Sequence, residues 1–236
     1  NMGNIENKGI ELTINATPIQ LRDFSWQTTL TYTKNKNKVL KLSEGKSFVE
    51  DGKYLIEEGS PLGQWFGQKA LGIYATDEAN AYIKNSDGSF GDRLIPVYQR
   101  DPNNYNNYIY GSNGKPIFSH YETKGGQKYT GDVGQMTTAG SVSKGGDIIW
   151  DDLDHDGVIG DSDRRILGNG MPTWYMGWTN YLNYKNFSLS FSFYGSFGNK
   201  IYNKQRRDLL QNSSSNMTPL ARDCYRLWKY QGQITE

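Results

Sequence analysis

The acidic stretch DLDHDGVIGDSD (Asp152–Asp163) has the residue types and the spacing of a cation-binding loop. Carboxylates stand at the first, third, fifth and twelfth positions of the EF-hand template, glycine gives the sharp turn at the sixth, and the seventh offers its backbone carbonyl. Carboxylates two residues apart repel one another unless a hard cation lies between them. The stretch therefore predicts a Ca²⁺ site with the candidate ligands Asp152, Asp154, Asp156, Val158 (through its carbonyl) and Asp163.

The same stretch has a second interpretation, a turn that holds no metal. The template has a bidentate Glu at the twelfth position, where this chain has the shorter Asp163, and no obvious helix flanks the loop. Asp- and Gly-rich turns also form without metal, because Asp side chains accept hydrogen bonds from the backbone two residues on. Both interpretations remain open from the sequence.

Residue patterns for catalysis or nucleic-acid binding are missing. His120 and His155 lie in loop-like stretches without a nucleophile motif, and no G-x-S-x-G, Walker or zinc-spacing motif occurs. The formal net charge is +1, with Lys and Arg scattered among Asp and Glu, so no basic stripe is available for nucleic acid. Cys224 is the single cysteine, which excludes a disulfide within the chain. We predict neither an enzyme nor a nucleic-acid-binding protein.

Two β-hairpins are the elements that must position these residues, and the clearer one is predicted over residues 171–197. Between Ile166 and Asn199 the only charged residue is Lys185, at the predicted turn, in a chain that is 22% charged. A period of two indicates strands with one apolar and one polar face. The apolar face of the second strand would consist of Phe187, Leu189, Phe191 and Phe193, and its polar face of Ser188, Ser190 and Ser192.

The other hairpin is predicted over residues 1–35, from GIELTIN (Gly9–Asn15) and FSWQTTLTYTKN (Phe24–Asn35), with its turn at Pro18–Asp23. Both hairpins carry Trp and Tyr towards their ends, as the aromatic girdles of membrane barrels do. No run of about 18 apolar residues is present for a transmembrane helix, but barrel strands need only about 9–11 alternating residues. Because a soluble β-sandwich alternates in the same way, the pattern leaves lipid and protein core as alternatives.

The region between the hairpins, residues 36–170, is rich in Gly, Asn, Asp, Tyr and charge. A structureless connection of this length is improbable in a compact domain, whereas outer-membrane barrels combine short periplasmic turns with long extracellular loops. We therefore predict that residues 36–170 are extracellular, with strand segments around Gly72–Tyr74 and Asp147–Trp150. Residues 198–236 would form another extracellular loop and the start of the next strand.

Three stretches, in order along the chain, carry a family resemblance. They are NKGIELTI with the following FSWQTTLTYTKNKNKVLKL, then SPLGQWFGQKALGIYATDEA (Ser60–Ala79), then Gly146–Asn203 with its Asp-rich loop and D-R-x-I-L-G step. The match covers most of the chain apart from the variable Ala81–Lys144 region. In these residues the chain resembles the C-terminal barrel region of the SusC/RagA family, TonB-linked outer-membrane proteins of Bacteroidetes.

The resemblance implies an all-β fold, part of a large antiparallel transmembrane β-barrel of 22 strands with long extracellular loops. Four membrane strands cannot close a barrel, since the smallest barrels use eight. The chain is therefore expected to be an interior slice, without the family's β-sandwich extension, TonB box and plug domain.

The resemblance also implies a function: import of large nutrients, glycans or peptides, through the bacterial outer membrane. The implied partners are the lipid bilayer, a SusD-like surface lipoprotein, and TonB through the missing N-terminal part of the parent protein. The alternative is a soluble, Ca²⁺-stabilised β-sandwich module that binds carbohydrate, which explains the aromatic residues and the acidic loop but not the uncharged hairpin.

Aromatic residues in the outer loops are candidates for contact with substrate or with the lipoprotein lid, by stacking on sugar rings or packing against the lid. The alternative for most of them is packing inside the loops. The candidates are Trp65, Phe66, Tyr74, Tyr105, Tyr108 and Tyr110.

Overall fold

The structure, a computed structural model, describes residues 3–43 and 45–205 of the 236-residue chain. It consists mainly of β-strands with two short 3-10 helices, Asp77–Ala79 and Asp161–Asp163, which confirms the all-β expectation. Within these ranges no helix has the length and apolar character needed to cross a membrane. The strands are β1 (Gly3–Gln20), β2 (Phe24–Leu42), β3 (Phe48–Glu50), β4 (Tyr54–Ile56), β5 (Gln64–Gly67), β6 (Ala70–Ile73), β7 (Tyr82–Lys84), β8 (Phe90–Arg93), β9 (Ile95–Tyr98), β10 (Arg100–Asp101), β11 (Asn104–Tyr108), β12 (Phe118–Glu122), β13 (Lys128–Tyr129), β14 (Val133–Gly134), β15 (Thr137–Thr138), β16 (Ser141–Val142), β17 (Ile148–Trp150), β18 (Val158–Ile159), β19 (Arg165–Asn169), β20 (Trp174–Tyr184) and β21 (Phe187–Phe197).

The two predicted hairpins join in one four-stranded antiparallel sheet, in the order β1-β2-β20-β21. The β20-β21 register ends at Tyr184 opposite Phe187 and leaves a two-residue turn, in which Lys185 adopts a φ of +52°. The Lys185 N–H donates to the carbonyl of Asp23 over 2.8 Å, so the two turns are tied together. β2 pairs with β20 over eleven consecutive positions without a register shift, although the two strands are far apart in sequence.

The first hairpin differs from its predicted limits in two ways. Pro18 lies inside β1 rather than in the turn, and the register shifts between Ala16 and Ile19 because proline has no N–H for the ladder. The turn itself is confined to residues 21–23. β2 continues to Leu42, so the predicted boundary at residue 35 falls inside a strand. The described residues end at residue 205. Cys224 and most of residues 198–236, where the start of a further strand is predicted, lie outside them.

The register gives the four-stranded sheet two contrasting faces, because residues directly opposite one another share a face. Where all four strands pair, a cross-strand row runs through them, for example Ile14, Leu30, Trp178 and Phe193. The apolar face consists of Ile10, Leu12, Ile14 and Ala16, then Phe24, Trp26, Thr28, Leu30 and Tyr32, then Trp174, Met176, Trp178, Asn180, Leu182 and Tyr184, then Phe187, Leu189, Phe191 and Phe193. The polar face consists of Glu11, Thr13 and Asn15, then Ser25, Gln27, Thr29, Thr31 and Thr33, then Tyr175, Gly177, Thr179, Tyr181 and Asn183, then Ser188, Ser190, Ser192, Tyr194 and Ser196.

The chain divides into two compact units, and the first contains more than the hairpins. It comprises the chain up to Gly67 together with Ile166–Tyr202. Besides the four-stranded sheet it holds a second sheet in the order β19-β5-β4-β3. The residues between Leu42 and Gly67, predicted as part of the long loop region, therefore pack with the hairpin unit.

The second unit spans Gln68–Arg165 and consists of small sheets. The two strand segments predicted here pair with each other, since β6 and β17 form an antiparallel ladder. A core of Tyr74, Tyr82, Met136 and Ile149 holds the unit, with Phe90 packed against it. The sheets are β10-β11, β13-β12-β9, β14-β7-β8, β16-β15-β18 and β17-β6.

Asn80 links distant parts of this second unit by side-chain hydrogen bonds. It is fully buried, and its Nδ2 donates to the carbonyls of Met136 and Ser143 over 2.9 and 2.7 Å. Its Oδ1 accepts from the Met136 N–H over 2.9 Å. One amide side chain thus satisfies three buried backbone groups that belong to no ladder, which is what burial of such groups requires.

Candidate functional site

The structure brings three residues of the acidic loop together. Asp152, Asp154 and Asp156 each offer a carboxylate oxygen within 4.8 Å of the other two. The loop backbone is fixed on both sides, because Phe90 N–H donates to the His155 carbonyl over 2.8 Å and Thr137 N–H to the Gly157 carbonyl over 2.9 Å. The three carboxylates therefore converge on a loop whose backbone is held in place by hydrogen bonds.

Asp152 is the buried member of this group. Its two carboxylate oxygens accept from the N–H groups of His155 and Gly157 over 2.9 and 3.0 Å. Burial raises the pKa of Asp152 above its ordinary value, opposed in part by the Gly157 hydrogen bond, and the negative charge of Asp163 raises the pKa further. A cation beside Asp152 would lower that pKa, because an opposite charge favours the ionised form.

The two exposed members are held by turn hydrogen bonds of the kind expected in a metal-free turn. Val158 N–H donates to Asp156 Oδ1 over 2.7 Å, and Asp156 N–H donates to Asp154 Oδ1 over a longer 3.4 Å. A hydrogen bond from the Ser162 hydroxyl lowers the pKa of Asp154. A carboxylate has about four lone-pair sites, so one N–H bond to an oxygen leaves room for a further ligand.

Asp163 is placed differently from the template, and the position of Val158 is fixed by strand pairing. Asp163 is fully buried, and its two oxygens accept from the N–H groups of Leu153 and Gly160 over 2.8 and 2.7 Å. It closes the loop and lies outside the group of three converging carboxylates. Val158 begins β18 and lies opposite Thr137 in a parallel pair.

Among the aromatic candidates, Tyr74 is corrected to a core residue. Only 1% of its surface is exposed, and its hydroxyl bonds to that of Tyr82 over 2.9 Å in the core of the second unit. Burial, together with this hydrogen bond, raises the pKa of Tyr74. A ring that is buried in this way offers no surface to a sugar or to the lid. Tyr74 directly follows β6 and packs in the core with Tyr82 of β7.

Trp65 and Phe66, in β5, are half-buried in the first unit. The Trp65 ring lies 4.6 Å from that of Tyr54 and 5.8 Å from that of Tyr202, centroid to centroid. Trp65 Nε1 donates to the Lys200 carbonyl over 2.8 Å. These contacts match the alternative interpretation, packing between loop segments, for Trp65.

Tyr105, Tyr108 and Tyr110 lie on and just after the β10-β11 hairpin, and all three are exposed. The Arg100 guanidinium lies over the Tyr108 ring, 4.1 Å from its centroid, and its Nη1 donates to the Tyr105 carbonyl over 3.2 Å. Cation–π contact and a hydrogen bond order this hairpin, so its tyrosines are presented on a defined surface. Their contact with substrate or lid stays a prediction.

The apolar face of the four-stranded sheet is uncovered in the described part of the chain. Phe187, Leu189 and Phe193 have 78%, 60% and 59% of their surface exposed, and Ile10 has 69%. Monomeric soluble proteins rarely leave large apolar side chains exposed together over neighbouring strands in this way. Such a face must be covered either by lipid or by another part of a protein.

One polar cluster interrupts that face and was not predicted. Asn180 is 1% exposed; its Oδ1 accepts from Trp26 Nε1 over 3.0 Å, while Trp178 Nε1 donates to Thr28 Oγ1 over 2.8 Å. The signal in the sequence was a single Asn among the apolar even positions of β20. Both hydrogen bonds of the cluster depend on the β2-β20 register, which joins residues about 150 positions apart.

Comparisons with known proteins bear on this arrangement. A search of protein-family models found no match. Over 217 residues the chain is 37% identical to the TonB-dependent receptor P39 of Formosa agariphila, covering 92% of this chain and 19% of that protein. It is 27% identical over 215 residues to the TonB-dependent receptor SusC of Bacteroides thetaiotaomicron, covering 91% of this chain and 16% of that protein. The chain thus spans about a fifth or less of the length of the curated relatives it matches, and the sequence resemblance stated above is confirmed.

A solved structure shares the fold. The structure of the RagAB peptide transporter superposes with a TM-score of 0.55 at 14% identity, covering 98% of this chain and 20% of that chain. At this identity the likeness concerns the fold alone. It agrees with the all-β, mainly antiparallel fold described above.

Proposed function

The chain is homologous to the TonB-dependent receptors that include SusC, and from this homology we propose that it forms part of the wall of an outer-membrane barrel that imports nutrients. The observation that carries the proposal is the four-stranded sheet with one largely apolar face and one polar face. An outer-membrane barrel needs this pair of faces, since its strands alternate between lipid and lumen.

The limits of the apolar face support lipid as its partner. Beyond Ile10 and Lys34 the same face continues with Lys8 opposite Lys36 and Glu6 opposite Lys38, so the next two cross-strand pairs on this face consist of charged residues. At this end Trp174 stacks on Phe197 with centroids 3.9 Å apart. Aromatic side chains followed by charge are typical of a membrane–water interface.

A soluble sandwich explains these faces less well. A second sheet would have to cover the apolar face at about 10 Å, and in the described residues the side chains of that face stay exposed. The polar face of β2, β20 and β21 also lacks the Lys and Glu that soluble sheets usually carry. The homology likewise favours the receptor, so we retain the barrel.

The partners of the whole protein belong to the proposal. A SusD-like lipoprotein would cover the extracellular mouth, with TonB supplying energy through parts of the parent that this chain does not contain. On this orientation the Lys185–Asn186 turn faces the periplasm, and residues 36–170 are extracellular. The substrate would be a glycan or a peptide.

Ca²⁺ in the acidic loop is a separate element of the proposal. Three converging carboxylates on an anchored backbone, one of them buried with a raised pKa, support it. Asp152, Asp154 and Asp156 would supply the oxygens, while Asp163 holds the loop closed from within. The ion would rigidify the second unit and take no part in transport chemistry.

Deletion of the parent gene in its native host tests the proposal. The deletion strain and a complemented strain are grown on single purified glycans and on a peptide mixture, and the protein is followed in membrane fractions. We expect the protein in the outer membrane and a growth defect on one substrate class, restored by the intact gene but not by a copy lacking its TonB-contacting segment. Unchanged growth on every substrate, or recovery of the protein in the soluble fraction, contradicts the proposal.

A further inference from the structure

A trough opens on the polar face of the sheet at Gly177. A Cβ at this position would meet Thr31 Oγ1 at 2.6 Å, so a larger residue would crowd the neighbouring strand. Glycine inside a strand weakens the strand, and it often marks a place where another group approaches the backbone closely. The cavity has a volume of about 240 Å³ and is lined by Thr31, Thr33, Tyr175, Met176, Gly177 and Tyr194.

Two tyrosine rings border this trough without filling it. Tyr194 lies directly opposite Gly177 and is 75% exposed, and its ring is inclined by 24° to that of Tyr175 with centroids 6.2 Å apart. In the described part of the chain neither phenol oxygen has a hydrogen-bond partner. The rings therefore present an open aromatic surface and two free hydroxyl groups on the same side of the sheet.

The wall around the trough carries hydroxyl and amide groups but no charge. On β2, β20 and β21 the polar face contains no ionisable side chain apart from tyrosine, and the nearest charge on this face is Glu11, on β1 opposite Thr33. None of the residues that line the trough carries a charge, so a charged ligand would lose water there without gaining an ionic partner in the lining, which is costly. A neutral ligand rich in hydroxyl groups loses less, because threonine and tyrosine hydroxyls both donate and accept.

We propose that this trough binds one pyranose ring of a neutral glycan. Its volume lies below the about 300–1,000 Å³ of drug-sized pockets, so it takes a single ring unit of a longer chain. The C–H face of the sugar packs on the Tyr194 ring, and its hydroxyl groups reach Thr31, Thr33 and the phenol of Tyr175. The inference rests on the proposed function, in which this face lines the lumen, and it selects glycan over peptide as the substrate.

Binding to the purified full-length receptor tests the trough. The probes are neutral glucose hexasaccharides with α-1,4, β-1,3 or β-1,4 linkages and an end-capped, uncharged hexapeptide, each titrated by calorimetry. We expect at least one hexasaccharide to bind, Tyr194→Ala to weaken it about threefold to tenfold, and Tyr194→Phe to retain it. Tyr181→Ala is the matched control, since Tyr181 is an exposed tyrosine on the same face of β20 but outside the trough, and it should bind as the unaltered protein does.

Several results overturn the inference. They are equal losses in Tyr194→Ala and Tyr181→Ala, no loss in Tyr194→Ala, no binding of any hexasaccharide, and Tyr194-dependent binding of the hexapeptide alone. The gene-deletion experiment separates this failure from failure of the proposed function. If growth depends on the receptor but glycan binding does not depend on Tyr194, the trough proposal is contradicted and the importer proposal is retained. If growth never depends on the receptor, the importer proposal itself is contradicted.

Discussion

An arginine placed on each face of β21 tests which face meets lipid. Leu189 lies on the apolar face and Ser190, next to it, on the polar face. The two positions share the strand, the neighbourhood and nearly the same depth. Leu189→Arg and Ser190→Arg therefore differ mainly in the medium that receives the charge.

The depth of Leu189 sets the expected magnitude. A strand rises about 3.3 Å per residue and tilts about 45°, so each residue spans about 2.3 Å of depth and the eleven residues of β21 span about 25 Å. This equals the height of a barrel's apolar band. Leu189 lies three residues from the central Ser192, hence about 7 Å from the midplane. Arginine costs about 2–4 kcal/mol at the midplane and about 0–1 near the interfaces, which gives about 2 kcal/mol for Leu189→Arg.

The assay is urea unfolding of the full-length protein in lipid vesicles, read by the altered gel mobility of the folded barrel. We expect Ser190→Arg to change the free energy of unfolding by less than about 0.5 kcal/mol, because the charge stays in water. Equal costs at the two positions, or a larger cost at Ser190, would refute the assignment of the faces. The test uses the parent protein, since within the described residues β1 and β21 each leave one edge of the sheet unpaired.

Three further predictions concern the second unit and the topology. Asn80→Ala should destabilise the second unit by about 3 kcal/mol, because the Met136 N–H and the Ser143 carbonyl lose the partner that Asn80 supplies, while the Met136 carbonyl keeps only its bond from the Ser143 N–H. Hydrogen exchange of the full-length protein should show this as lost protection confined to that unit. With the native cysteine replaced, Asn113→Cys should react with an impermeant thiol reagent on intact cells and Asn186→Cys should not; the reverse pattern contradicts the orientation. Ca²⁺ at about 1 mM should slow hydrogen exchange in the acidic loop. Asp156→Asn should abolish this effect, whereas Asp161→Asn, which removes a carboxylate outside the converging group, should leave it unchanged. An exchange rate that does not change with Ca²⁺ contradicts the proposed site.

The hairpins were predictable because their signals are local. A period of two fixes which residues share a face, and the Lys185–Asn186 turn fixes the register of β20 on β21, so the partners follow from sequence alone. Pro18 was misplaced because proline reads as a turn residue, whereas β1 accommodates it with a register shift. The pairing of β2 with β20 could not be predicted from local sequence patterns, because the whole second unit lies between the two strands in the sequence.

The second unit was less predictable because its order depends on single long-range contacts. Tyr74 looks like any loop tyrosine in the sequence, and its burial follows from packing with Met136 and Ile149, more than sixty residues away. Asn80 is equally inconspicuous, although it satisfies three backbone groups. In the acidic loop the spacing correctly grouped Asp152, Asp154 and Asp156. Spacing could not show that Asp163 would close the loop by accepting from two backbone N–H groups, outside the group of three converging carboxylates.

The buried Asn180 explains how two tryptophans fit at the middle of an apolar face. Trp side chains favour membrane interfaces because the indole N–H requires an acceptor that hydrocarbon lacks. Here the row formed by Thr28 and Asn180 lies between Trp26 and Trp178, and each indole N–H donates into that row, to Asn180 Oδ1 and Thr28 Oγ1. The Asn180 amide is itself 1% exposed, and its Nδ2 has no hydrogen-bond partner among the described residues. The acceptors that the bilayer cannot supply are thus built into the sheet, and because each bond crosses from β2 to β20, the same two contacts also join the two hairpins.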